Sequence, residues 1–281
     1  MRQDTRSANT RPGQVKTVTS VSNPVIKDIK ALVSQRKRRK EAGLFVAEGL
    51  KLVTDAMEAG WPIRTLVFGG EVREQPMVTK AAATARARGA LVLDVSRAVL
   101  TSITRRDNPQ MVVGVFEQQW ADPATIAPED GAVWVGLDEV RDPGNLGTIL
   151  RTVDAVGAKG VVLIGDTTDP FAVEAVRATM GSIFYVPLVR MSRGDFLKWR
   201  AGWPGKVFGT HLKGSVDYRK PDYSGPTLLL MGTEQSGLPE QMVEACTQLV
   251  RIPQAGKADS LNLAVATAVM LYEIKRNVLE L

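Results

Sequence analysis

Val133-Trp134-Val135-Gly136-Leu137, followed by Asp138-Glu139-Val140-Arg141-Asp142-Pro143-Gly144-Asn145-Leu146-Gly147, is the stretch from which the fold is read. An apolar run without polar alternation is the signature of a strand buried on both faces, and such strands belong to parallel sheets covered by helices. The chain leaves it through a polar turn and enters a helical pattern over Leu146–Val156. Strand-like runs recur at Val161–Ile164, Tyr185–Val189, Val207–Thr210, Leu228–Met231 and Leu249–Ile252. Helical segments alternate with them at Phe171–Met180, Asp195–Arg200, Pro239–Ala245 and Leu261–Leu281. This alternation predicts an α/β domain over 131–281, built on a mostly parallel sheet with helices on both faces. No GxGxxG follows the first strand and no Walker lysine motif occurs, so neither nucleotide-binding signature is supported.

Upstream, Glu117 to Asp130 holds Pro123, Pro128 and four acids without a base, which marks residues 118–130 as a linker. Before it, residues 21–117 read as a smaller alternating α/β domain. Ser22-Asn23-Pro24 starts a helix expected to run to Lys40, and Leu44–Ala47 is a strand. A helix through Leu50, Val53 and Met57 stops at Gly60; strand Ile63–Phe68, helix Met77–Arg88, and strands Leu91–Asp94 and Met111–Phe116 follow. Residues 1–20 are polar and lack an apolar stretch, so they read as a disordered basic arm and not as a secretory signal. A transit peptide is the alternative, and Asp4 weighs against it.

At 281 residues, two domains are expected, and 44% hydrophobic with 23% charged residues suits a chain with a real core. No apolar run is long enough to span a bilayer. Cys246 is the only cysteine, which excludes an intramolecular disulfide and fits a reducing compartment, the cytoplasm. With His211 the only histidine, a His/Cys metal cluster cannot be built, and no metal is expected; the lone imidazole reads as structural. The net charge of +6 is unevenly spread: residues 1–40 carry +9 and the remainder −3. The run Arg36, Lys37, Arg38, Arg39, Lys40 dominates that excess and points to a polyanionic partner such as RNA. The alternative is a solvated helix end.

In a parallel sheet, ligands bind beyond the carboxyl ends of the strands. Three loops there have unusual residue sets. Asp138–Gly147 offers Asn145 as a helix cap and Gly144 and Gly147 for close backbone approach, with Arg151 one turn further on. Gly232-Thr233-Glu234-Gln235-Ser236-Gly237 sets Glu234 between glycines, and Pro253–Ser260 precedes a long helix that Ser260 can cap, with Asn262 in its first turn. Singly, each is also an ordinary turn or cap.

Together the three segments resemble the three motifs of the SpoU (TrmH-type) RNA ribose 2′-O-methyltransferases. The matches are Asn145-Leu146-Gly147-Thr148-Ile149-Leu150-Arg151, then Gly232-Thr233-Glu234-Gln235-Ser236-Gly237-Leu238. Ile252-Pro253-Gln254-Ala255-Gly256 with Ser260-Leu261-Asn262 completes the set. The first domain resembles the family's L30e-like RNA-binding module through Phe45-Val46-Ala47-Glu48-Gly49 and Asn108–Val115. Thr233 stands where the family usually has Asn, and Gln254 where it usually has Met; neither position is assigned chemistry.

The resemblance implies a SPOUT-like fold with a C-terminal trefoil knot, S-adenosyl-L-methionine as cofactor, a homodimer, and ribosomal RNA as substrate. Transfer RNA, a base instead of a ribose, or RNA binding without catalysis are the alternatives. It assigns the cofactor to Thr210, Gly232, Gly237, Ile252 and Leu261, and the reaction to Arg151, Asn145, Glu234, Ser260 and Asn262. A guanidinium is too weak an acid to serve as a simple base, so Arg151 either binds the adjacent phosphate or stabilises the developing alkoxide. Glu234 is expected to orient Arg151 through an ion pair.

Overall fold

The structure is a computed structural model and describes residues 11–212, 214, 216–257 and 259–280. The chain forms two compact units, one made of residues up to Gln118 with Phe171–Val173, the other of Gln119–Pro170 and Glu174 onward.

The first unit contains β1 (Val15–Val18), α1 (Pro24–Ser34), α2 (Arg36–Ala42), β2 (Leu44–Glu48), α3 (Leu50–Glu58) and β3 (Ile63–Gly69). It continues through α4 (Pro76–Ala87), β4 (Leu91–Val95), α5 (Arg97–Thr104) and β5 (Val112–Glu117). Its sheet runs β1-β4-β3-β5-β2, and β5 alone runs opposite to the other four strands. Val46, Val67, Leu93 and Val113 from the sheet meet Ile26, Ile29 and Leu32 of α1 and Val99, Leu100 and Ile103 of α5. Each such fully buried aliphatic side chain contributes roughly 1.5–3 kcal/mol by leaving water.

Three features of this unit depart from the sequence reading. The arm expected to be disordered over 1–20 includes β1, which pairs parallel with β4 from Val15↔Val92 to Val18↔Val95; residues 1–10 of that arm lie outside the described residues. Only Val18 of β1 is buried, so the strand's composition gives little sign of it. The helix starting at Asn23, whose side chain accepts from Val25 N at 2.9 Å, ends at Ser34 and does not reach Lys40. Gln35 is extended (φ −125, ψ 111), and Arg39, 5% exposed, donates from Nη1 to Leu32 O at 2.8 Å and Val33 O at 3.2 Å. The arginine thus fills carbonyls that the end of α1 leaves unpaired. α5, not foreseen, follows Ser96 and buries Val99, Leu100 and Ile103.

The second unit holds β6 (Val133–Asp138), α6 (Pro143–Ala155), β7 (Gly160–Ile164), α7 (Val173–Ala178, its first residue apart), β8 (Leu188–Met191), α8 (Arg193–Ala201) and β9 (Lys206–Thr210). Then come β10 (Val216–Asp217), β11 (Thr227–Met231), α9 (Glu240–Glu244), β12 (Gln248–Arg251) and α10 (Leu263–Lys275). The sheet order is β10-β12-β9-β11-β6-β7-β8, and every pairing is parallel. β6 is buried along its whole length, as its unbroken apolar run requires. One face packs Trp134, Val162, Val189 and Leu228 against Phe196, Trp203 and Met242. α6 packs against α10.

The expected linker is not free chain. Ala121 N donates to Leu188 O at 2.8 Å, Asp122 caps a single turn at Pro123–Thr125, and Ile126 is 7% exposed within the second unit's core. Ala121 packs against the same core, and Trp120 lies under the Arg190 guanidinium at 4.7 Å. The strand expected over Tyr185–Val189 starts only at Leu188, after a 3₁₀ turn at Ser182–Phe184. Among the described residues no helix is long and apolar enough to cross a membrane.

Candidate active site

The carboxyl ends of β6, β9, β11 and β12 lie side by side in the sheet order, so the loops leaving them converge. The first ends at Asp142, whose carboxylate accepts from Asn145 N at 2.6 Å and caps α6. Asp142, not Asn145, is therefore the cap, and the Asn145 amide is left for other work. Its Nδ2 donates to Glu234 Oε1 at 3.0 Å, and its Oδ1 accepts from Asn262 Nδ2 at 2.9 Å. Asn262 Oδ1 in turn accepts from Ala264 N and Val265 N, which caps α10 in place of the expected Ser260. Residues 89 and 117 positions from Asn145 are joined in one chain of bonds.

Beside this chain lies a cavity of about 520 Å³, within the size range of sites that hold small organic ligands. Thr210, Gly232, Gly237, Ile252 and Leu261, all assigned to the cofactor, line it, as do Glu234 and Ser260. Gly232 is obligatory: a Cβ there would stand 2.1 Å from the Gly237 carbonyl carbon. The loop is pinned by reciprocal bonds, Thr233 N to Gly237 O at 3.1 Å and Gly237 N to Thr233 O at 3.0 Å. Thr233 Oγ1 accepts from Ser236 N at 3.1 Å, a side-chain turn of the kind an asparagine would also supply. That accounts for threonine where the family usually has asparagine. Gly147 serves helix packing, since a Cβ would meet Ala178 Cβ at 2.4 Å and Ala175 O at 2.6 Å.

The cavity suits S-adenosylmethionine in the chemistry of its walls. Gly232 and Gly237 bring main chain to the wall, Met231, Leu261, Leu263 and Ala266 give apolar surface, and the Glu234 and Asp259 carboxylates complement a sulfonium and an ammonium. Among the described residues no group of His, Cys, Asp and Glu is arranged to hold a metal ion.

Arg151 is exposed and does not line the cavity. Six residues past Asn145, it points about 120° around α6 from that side chain at 100° per residue. The expected ion pair with Glu234 is not formed; that carboxylate binds Asn145. Of the basic run, Arg39 is buried, Arg38 pairs with Asp28 at 3.3 Å and Lys37 lies 3.9 Å from Glu41. Lys37 and Lys40 are exposed and available to a polyanion.

The sequence reading missed His211, Gln254 and Asp259, which also line the cavity. His211 directly follows Thr210 at the end of β9, and its position at a strand's carboxyl end was the usable signal. Cys246 takes no part: burial pushes its thiol up to about 12.

Comparison with known proteins accords with this geometry. Residues 132–272 match the model of the SpoU rRNA Methylase family, and residues 23–114 match the MRM3-like substrate binding domain. The 23S rRNA (uridine(2479)-2′-O)-methyltransferase of Streptomyces viridochromogenes is 34% identical over 278 residues, covering 96% of each chain. A 23S rRNA (guanosine(2553)-2′-O)-methyltransferase of Bacillus subtilis is 29% identical over 93% of this chain and 100% of that one. The AdoMet-bound rRNA methyltransferase from Sinorhizobium meliloti superimposes with a TM-score of 0.90 at 55% identity, over 95% of this chain and 100% of that chain.

Proposed function

The chain belongs to the SpoU rRNA methylase family, and from that premise we propose that it methylates a ribose 2′-hydroxyl of ribosomal RNA with S-adenosylmethionine. The observation that carries the reading is the Glu234–Asn145–Asn262 bond chain closing beside the 520 Å³ cavity. The cofactor, when bound, supplies an electrophilic methyl group on a sulfonium. The protein's part is to hold both partners in line, exclude water and manage the hydroxyl proton. Glu234 and Asn262 fix Asn145, and the Gly232–Gly237 loop shapes the wall against which the cofactor rests. Ser260 Oγ, on the cavity wall, is suited to a sugar hydroxyl.

Arg151 acts on the phosphate or the developing alkoxide, and its direction away from its own cavity supports a homodimer in which it serves the partner's site. Exposed apolar side chains on α10, Val265 at 50% and Tyr272 at 53%, support the same arrangement. The first unit, with its MRM3-like match, binds the RNA, and Lys37 and Lys40 contribute phosphate contacts. The protein works in the cytoplasm, in keeping with a single free thiol. A knotted C-terminal segment belongs to this reading, supported by the placement of β9 between the later strands β12 and β11.

The test is to incubate the full chain with labelled S-adenosylmethionine and RNA from cells lacking the gene, then map the methylated nucleotide. A 2′-O-methyl mark in ribosomal RNA is expected. Label only in transfer RNA, on a base, or nowhere would replace this reading with one of its alternatives.

A further inference from the structure

The loop that delivers Asn145 is gripped on two sides. Toward the cavity it is held by Glu234 and Asn262. On the opposite flank, toward β7 and β8, a second set of contacts surrounds residues 138–141. The Asp138 side chain, 1% exposed, receives two parallel bonds from Arg193, Nε to Oδ1 and Nη2 to Oδ2, each 3.0 Å. The same Nη2 lies 3.3 Å from Glu139 Oε1. Arg141 stands 3.6 Å from the other Glu139 oxygen and 3.2 Å from Asp166. Thr168 N donates to Val140 O at 2.7 Å.

Glu139 adopts φ 51, one of three non-glycine residues in the left-handed region among those described. An L-residue there is strained, and asparagine or glycine would adopt the conformation more readily. Its aliphatic stem also rests against Gly165, whose Cβ would come within 3.0 Å of Glu139 Cγ. A glutamate at a position that disfavours it is explained if its carboxylate has a task, and the carboxylate lies between two guanidiniums. The bonds to Asp138 hold the Arg193 guanidinium above its ordinary pKa, so it stays charged throughout.

We propose that Glu139 and Arg193 are positioning residues for methyl transfer, fixing the departure of the chain from β6 so that Asn145 meets Glu234 and Asn262. The inference rests on the methyltransferase reading above. Only Val140, Arg141, Asp142, Pro143 and Gly144 separate Glu139 from Asn145. Val140 is bonded to Thr168, Arg141 is paired with Asp166, and Asp142 is bonded to Asn145 itself. Displacement at 139 is therefore passed along a short, tied segment. Misplacement of a reacting or orienting group by about 1 Å costs on the order of 100-fold in rate.

The decisive variant is Glu139→Asn, which suits the backbone conformation but removes the carboxylate. Single-turnover methylation of ribosomal RNA, a melting curve and a cofactor titration are measured on the full chain. A merely structural role ties rate to stability: the variant would melt at or above the wild-type temperature and react at the wild-type rate. The positioning role predicts the same melting behaviour and unchanged cofactor affinity with a rate about tenfold lower. Arg193→Lys keeps a cation opposite Asp138 but loses the planar fork, and a similar fall is expected per folded molecule. In an Asn145→Ala background Glu139→Asn should add nothing, because its effect passes through Asn145. Wild-type rate in Glu139→Asn, or full additivity with Asn145→Ala, overturns the proposal while leaving the methyltransferase reading intact. If the wild-type chain transfers no methyl group, both fall together.

Discussion

The loops at the carboxyl edge of the second unit and the basic run Arg36–Lys40 are both dense clusters of polar side chains, yet the fold treats them differently. In the loops, each residue's place is fixed by its distance from a strand end, and Glu234, Ser260 and the five residues assigned to the cofactor line one cavity. In the run, the five cations share one short helix and a sign but not an environment. Arg39 is 5% exposed and bonded to the carbonyls that end α1, while Lys37 has a side chain 87% exposed. Order along a strand–loop–helix unit specifies geometry; a charge total specifies only a field.

That contrast is sharpest at Arg151. Its loss should cost on the order of 10²–10³ in single-turnover rate, the scale of removing a preorganised charge from a developing oxyanion, with melting and cofactor affinity unchanged. Mixing Arg151→Ala with Asn145→Ala should then restore part of the activity, because one hybrid dimer site has both intact residues. No restoration would mean that each chain completes its own site. Asn145→Ala should lose about 100-fold by freeing both Glu234 and Asn262. Glu234→Gln should lose less than Arg151→Ala, since an amide oxygen still accepts from Asn145; the same single-turnover assay decides.

On the other side of the comparison, Arg39→Gln should destabilise the chain by about 1–3 kcal/mol in a denaturant titration, by leaving the Leu32 and Val33 carbonyls short of a donor. RNA affinity per folded molecule should not move. Replacing Arg36, Lys37, Arg38 and Lys40 with glutamine should do the reverse. The slope of log affinity against log salt should flatten by roughly 0.7–0.9 for each phosphate that is no longer neutralised. Melting should change little, because exposed pairs such as Arg38–Asp28 contribute little. An unchanged slope would reduce the run to a solvated helix end.

Much was legible in the chain itself. The unbroken apolar run Val133–Leu137 and the alternation after it are enough for a parallel α/β unit, because burial on both faces leaves no room for polar residues. The three loop motifs identify the edge at which the chemistry sits, since ligand sites in such sheets lie beyond the strands' carboxyl ends. Local sequence could not say which way a side chain faces once an element packs. Gln35 breaks a continuous helical pattern, Asp142 takes the cap expected of Asn145, and Asn262 takes the one assigned to Ser260. Arg193, 55 residues from Asp138, becomes its bidentate partner only because β6, β7 and β8 are neighbours. The physical reason is the same in each case. Propensity and periodicity act over a few residues, whereas pairing a buried carboxylate or satisfying a helix's last carbonyls depends on whichever donor the tertiary structure brings within about 3 Å.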